Sequence, residues 1–210
     1  MVQSKFFLII LIGWFGLSLV SCRERLSPEQ QQYIQEVLTF RMEKDSLFKH
    51  ADWSPILNEE KGDFSGLKYY PVDVSLRFEG PITPYDTLVP DTIIGTKGDL
   101  RPAHRYGYFA FQHQGRTHRL VIFRIERNDP KLEPYLFLGF TDETTADETY
   151  GTGRYLDLSE NPENHYIIDF NLAYNPYCAY NPRYTCAIPA DDNHLPFSVR
   201  AGEKIYQDHK

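Results

Sequence analysis

At 210 residues, 41% of them hydrophobic, the chain is long enough to bury one sizeable core, and strand-rich single domains commonly reach about 200 residues. A formal net charge of −7 and a pI near 5.5 exclude the positive field that binds a phosphate backbone by releasing its counterions. Lys and Arg nowhere cluster among aromatics, so no nucleic acid is expected as a partner.

The chain opens with MVQSKFFLIILIGWFGLSLVSC: one basic residue at Lys5, an apolar run from Phe6 to Val20, and small residues leading to Cys22. This is a signal-peptide layout, and the run is shorter than the roughly 20 apolar residues that cross a bilayer. Leu19-Val20-Ser21-Cys22 resembles the lipobox of bacterial lipoproteins. That resemblance implies a signal peptide over residues 1–21, a lipidated Cys22 at the mature N-terminus, and the lipid membrane as a partner. Several acyl chains, at about 0.8 kcal/mol per buried methylene, would make the anchor permanent. The alternative, an ordinary secretory signal ending in a chance Cys, would leave an exported protein with a free N-terminal thiol. Residue 23 is Arg rather than Asp, and no acidic run follows. By the same resemblance this implies the bacterial cell envelope, at the periplasmic face of the outer membrane. Lipidation uses one of three cysteines and leaves Cys178 and Cys186 in an oxidising compartment, where a disulfide is the default.

Ser27-Pro28-Glu29-Gln30 predicts a helix start, with Ser as N-cap, Pro at the first helical position and Gln three residues beyond the cap. Tyr33, Val37, Phe40, Lys44 and Leu47 then recur at helical spacing to about Lys49, predicting a mostly apolar stripe packed on the core. "DWSP" at 52–55 stops the helix, because the residue before proline avoids helical geometry. From there the period is two. Strands are expected at Val72 to Phe78, in a hairpin of Tyr106 to Gln112 and Thr117 to Ile125 around "HQGR", at Tyr135 to Phe140, Arg154 to Leu158, Tyr166 to Leu172, and Phe197 to Arg200. "LVIFRI" is apolar on both faces, as in a central covered strand. The expected fold is mainly β (α+β): an antiparallel β barrel or sandwich with one N-terminal amphipathic helix, in a single globular domain over residues 22–210.

The common catalytic signatures are absent, and Gly151-x-Gly153 lacks the third glycine of a dinucleotide loop, so no cofactor is expected. "TDETTADET" at 141–149 reads as a solvated turn, lacking the glycine of a calcium loop. His104, His113 and His118 are read as surface residues rather than a metal site. The densest constellation lies in the last third, where "AYNPYCAYNPRYTC" (173–186) says nearly the same thing twice. Asn-Pro favours turns, so the doubling predicts two successive tight turns. A bridge between Cys178 and Cys186 would clamp that loop, a contribution of about 2–3 kcal/mol in the chain-entropy picture.

These strings, with "FSGLKYYPVD" at 64–73 and "FTDETTADETYGTGRYLDL", resemble the bacterial domain-of-unknown-function family 1684 over about residues 33–206. The family hallmark is a D-F-N-x-A-x-N-P-x-C-A block followed by a second cysteine, N-x-L and A-G-E. Ala146 stands where the family carries glycine, and Ala187 and Ala190 where it tends to carry proline. The resemblance implies no established activity.

Two classes of function stay open on the residues. In the first, an envelope module binds or scaffolds, and Asn171, Tyr174, Asn175, Tyr177, Tyr180 and Asn181 present apolar rings and polar tips to a small molecule, glycan or peptide. In the second, a periplasmic hydrolase uses Asp169 or Glu203 as acid/base and Arg154 as an electrostatic stabiliser. Asp169 and Asn171 share strand parity and are expected to meet Arg154 from an adjacent strand, in a structural bridge or a catalytic site. A redox role for Cys178 and Cys186 comes third, because C-x7-C lacks the helix N-terminus that lowers a thiol pKa.

Overall fold

A computed structural model describes residues 26–125 and 135–206; the signal peptide expected over residues 1–21 and the expected lipidation site Cys22 lie outside the described residues. Helix α1 spans Pro28–His50 and starts as a capping box: the Gln30 amide donates to Ser27 Oγ at 3.2 Å, and the Ser27 amide to Gln30 Oε1 at 2.9 Å. Its buried line is Val37, Arg41 and Phe48. Arg41 donates to the carbonyls of Tyr70 (2.8 Å) and Asn171 (3.1 Å), which fixes the helix to the body of the domain. Phe40 and Leu47, expected on the core, are 47% and 49% exposed. The apolar stripe is rotated because the guanidinium of Arg41 claims the inward line.

Among the described residues eight strands follow: β1 (Arg77–Gly80), β2 (Ile82–Ile94), β3 (Leu100–His113), β4 (Arg116–Ile125), β5 (Tyr135–Asp142), β6 (Arg154–Leu158), β7 (Tyr166–Asp169) and β8 (His194–Leu195). The sheet order is β2-β3-β4-β5-β6, all antiparallel, with β8 parallel to β5 and β1–β7 forming a separate ribbon. The curled sheets make a half-barrel. Leu120 and Ile122 of β4 face its main core with Phe109, Phe140, Ile168 and Phe170, while Val121, Phe123 and Ile125 face a second cluster with Phe137 and Ala187. β4 is therefore covered on both faces, as its sequence predicts. The β3–β4 hairpin turns on Gln114 and Gly115, both at positive φ, the geometry that suits the twist of a two-residue loop.

Several boundaries differ from the sequence reading. β2 is long although its sequence, with Pro84 and Pro90, predicts no strand; it is an edge strand, where proline is tolerated. Val74–Leu76 is a 3-10 turn capped by Asp73, whose Oδ1 accepts from the Ser75 amide at 2.9 Å, so the strand begins only at Arg77. β7 ends at Asp169, which caps a second 3-10 turn over Phe170–Leu172. Phe197 to Arg200 is no strand. "TDETTADET" is not a solvated turn either: Asp142, Thr144 and Thr149 are buried. Within it Ala146 has φ 69°, a left-handed conformation that favours glycine.

What holds the C-terminal segment is Arg154, 1% exposed. Nη2 pairs with Asp142 Oδ2 at 2.6 Å and donates to the Val199 carbonyl at 2.8 Å. Nη1 donates to the carbonyls of Ala201 and Glu203. A buried carboxylate left without its partner costs several kcal/mol, so Arg154→Met is expected to lower unfolding free energy by about 3–5 kcal/mol in chemical denaturation. The double change Arg154→Met with Asp142→Val should cost less than Arg154→Met alone, because no lone charge then stays buried.

Candidate functional site

Between α1, the outer face of β5 and β6, and the doubled Asn-Pro loop lies a cavity of about 520 Å³. The loop forms one wall, and its repeat divides inward from outward. Tyr174 exchanges two backbone hydrogen bonds with Tyr155 (2.9 and 3.1 Å), which lays the start of the loop along β6. The Asn175 amide donates to Glu203 Oε2, and its side chain to the Lys204 carbonyl, both at 2.8 Å. Asn181 donates to the Pro55 carbonyl at 3.2 Å and accepts from the Arg183 amide at 3.1 Å. Both asparagines are thus buried hinges that tie the turns down. Tyr174, Tyr177 and Tyr184 line the cavity, whereas Tyr180 is buried and donates to Glu203.

Glu203 is 1% exposed and is satisfied from three sides. Besides Asn175 and Tyr180, its Oε1 pairs with Lys44 Nζ at 2.7 Å. Burial, then the Glu203 charge, pushes the Tyr180 hydroxyl well above its ordinary pKa, so it stays a donor. The Lys44 ammonium sits over the rings of Tyr174 (4.7 Å) and Phe48 (5.2 Å) at the cavity wall. Tyr174 donates to Asp157 Oδ1 at 2.6 Å, and its pKa is raised by burial and then by that carboxylate.

Asp169 lies elsewhere. Its carboxylate accepts from the Tyr33 hydroxyl at 2.9 and 2.8 Å, from the Asn171 amide at 2.9 Å and from Asn171 Nδ2 at 3.1 Å, with Arg77 Nε at 3.9 Å. The expected meeting with Arg154 is incorrect, because β7 pairs with β1 and not with β6; Arg154 pairs with Asp142 instead. Asp169 and Asn171 do come together, as their parity suggests. A smaller hollow of about 380 Å³ beside them is lined by Tyr33, Glu36, Arg77 and Asp169. Asp169, Glu203 and Arg154 do not converge: Arg154 reaches only the backbone of Glu203, at 3.3 Å.

The structure brings Tyr174 and Tyr177 to the main cavity and leaves Asn171, Asn175, Tyr180 and Asn181 in internal hydrogen bonds. Trp53, Phe137, Tyr155 and Lys44 line the cavity too and were not singled out from sequence. Only the parity of Phe137 and Tyr155 on their strands hints at a shared outer face. Of the histidines, His113 and His118 stack on Phe197, with ring centroids 4.5 and 4.8 Å away. Among the described residues no group of three His, Cys, Asp or Glu is placed to hold a metal.

Cys178 and Cys186 are side by side as thiols, with the Cys178 amide donating to Cys186 Sγ at 3.1 Å and the Tyr150 hydroxyl to Cys178 Sγ at 3.6 Å. The Cys186 thiol, with help from Tyr150, lowers the Cys178 pKa to about 6, while Cys186 itself is pushed up because it holds its proton against Cys178. The lowering comes from the neighbouring thiol and Tyr150, a source that the spacing C-x7-C does not reveal.

The profile described as "Protein of unknown function (DUF1684)" matches residues 62–204. The solution NMR structure of an uncharacterised protein of Haloarcula marismortui is 30% identical and superposes with a TM-score of 0.63, covering 88% of this chain and 100% of that one. No curated protein matches the chain.

The thiol asymmetry sets a pH dependence. Because Cys178 is lowered, its thiolate already predominates above about pH 6. In the fully reduced protein, iodoacetamide should modify Cys178 before Cys186, at a rate half-maximal near pH 6 and flat above it. Equal labelling of both thiols, rising through the ordinary range near pH 8.5, is the opposite outcome.

Proposed function

Because this chain belongs to the DUF1684 family, a family without an assigned activity, we propose its function from its own site: a lipid-anchored envelope module that binds a small ligand in the cavity between α1 and the doubled Asn-Pro loop. The observation that carries this reading is the aromatic lining of that cavity, with Trp53 and Tyr177 53% and 37% exposed at it. Exposed large rings around a concavity are typical of sites that bind ligands. The hydrolase reading draws no support from the geometry, since Asp169 and Glu203 are taken up by internal donors and Arg154 by Asp142. In the oxidising envelope the Cys178 thiolate attacks a disulfide of an oxidised partner, and Cys186 then displaces that partner as a thiol, which leaves a Cys178–Cys186 disulfide that stiffens the wall. Lipid on Cys22, five residues before Ser27 caps α1, keeps the helix and the cavity near the membrane surface.

Two measurements test this reading. Protein extracted from its own envelope should show a bound mass in native mass spectrometry. Trp53→Ala with Tyr177→Ala should keep the wild-type melting temperature and lose that mass; an equally loaded variant would place the ligand elsewhere and end the cavity reading. Separately, Cys22→Ser should move the protein from the detergent phase to the aqueous phase. If the wild type already partitions into the aqueous phase with an unmodified N-terminus, there is no anchor.

A further inference from the structure

The charge and ring geometry of the cavity narrow the chemistry of its ligand. Its two cations are already engaged: Lys44 pairs with Glu203 at 2.7 Å, and Arg101 with Asp99 at 2.9 Å while donating to the Thr185 carbonyl at 2.8 Å. Its two lining carboxylates are not neutralised. Glu43 and Asp157 are both exposed, and among the described residues neither has a cation partner; Asp157 accepts only the hydroxyl of Tyr174. The cavity therefore carries an excess of negative charge, which disfavours phosphates, carboxylates and anionic headgroups.

The rings add the second constraint. Phe48 meets Trp53 at 87° and Tyr177 at 75°, both with centroids 6.3 Å apart, and Tyr177 meets Tyr184 at 64°. A flat stacking platform, the arrangement that suits a sugar face or a planar ring, would need near-parallel rings. In these edge-to-face pairs Phe48 is buried behind its neighbours and covered by Lys44, so the ring surface left to a ligand is that of Trp53 and Tyr177. The negative faces of such exposed rings hold ammonium groups by cation–π attraction. The protein itself supplies an example, since the Lys44 ammonium lies over Tyr174 and Phe48 in the same wall.

From these two observations we propose that the ligand presents an alkylammonium group to the exposed rings of Trp53 and Tyr177, with Glu43 and Asp157 as its counter-charges. The proposal rests on the cavity being the binding site and adds the class of ligand. Quaternary and primary ammonium groups share this chemistry, and two probes separate them: choline for the first and n-butylammonium for the second.

The test uses the full-length protein in a maltoside detergent, with tryptophan fluorescence as the readout because Trp53 lines the cavity. Choline or n-butylammonium should change the emission saturably. The compound 3,3-dimethylbutan-1-ol, which has the shape of choline without its charge, should bind about tenfold more weakly, the scale of several cation–π contacts. Glu43→Gln with Asp157→Asn should weaken the ammonium probes about tenfold, since two charges at about 6 Å in water together amount to that factor, and should leave the neutral compound unchanged. Both side chains are exposed, so the variant should fold as the wild type does. Equal binding of choline and its neutral isostere would overturn the ammonium assignment and leave the cavity reading intact. Failure of both ammonium probes to bind, in protein that carries a bound mass from its envelope, would do the same.

Discussion

The interaction on which the rest of the molecule depends is the buried guanidinium of Arg154. Residues 197–203 carry almost no strand structure of their own, so their carbonyls need donors from elsewhere. Arg154 supplies them to Val199, Ala201 and Glu203 while Asp142 neutralises it. Asp142 is held in turn by the Thr144 amide and hydroxyl, both at 2.6 Å. One ion pair thus fixes the loop after β5 and the C-terminal segment together. Burying charge is expensive unless its hydrogen-bonding groups are met, and here both Nη atoms of Arg154 and both oxygens of Asp142 have partners.

The consequence reaches the cavity through Glu203. With its backbone set by Arg154, its carboxylate receives Lys44 from α1 and Asn175 and Tyr180 from the doubled loop. A single side chain therefore holds helix and loop in register, and the cavity is the space left between them. This explains why an acidic residue that looks catalytic in sequence is structural in place: its lone pairs are spent on assembling the site's walls. Asp169 does the equivalent on the other side of α1, where it ties Tyr33 of the helix to the end of β7.

Repetition in the loop serves two tasks at once. The asparagines turn inward, where short amides can satisfy nearby backbone groups, and three of the four tyrosines turn outward, where ring and hydroxyl can be used separately. Cys178 and Cys186 lie side by side at the base of the loop, where the Cys178 amide donates to Cys186 Sγ. The cavity wall is therefore anchored at each Asn-Pro turn.

Much of the fold is legible in the sequence because its signals are local. The capping box at Ser27, the Gln114-Gly115 hairpin, the two-faced β4 and the boundaries of β6 each follow from neighbours within a few residues. The family was legible as well, from a contiguous block of motif. The misread pieces depend on partners distant in sequence. Phe40 and Leu47 lie off the core because Arg41 meets carbonyls at Tyr70 and Asn171; β2 tolerates prolines because it lies at an edge; Asp169 misses Arg154 because β7 pairs with β1. The candidate site shows the same division. Tyr174 and Tyr177 stood out by composition, but which of the loop's polar groups would be consumed, and that Trp53, Lys44 and Tyr155 would join them, was decided by pairing across the fold. Local periodicity specifies which face of an element is apolar, whereas the partner of a buried charge is chosen only when the chain closes around it.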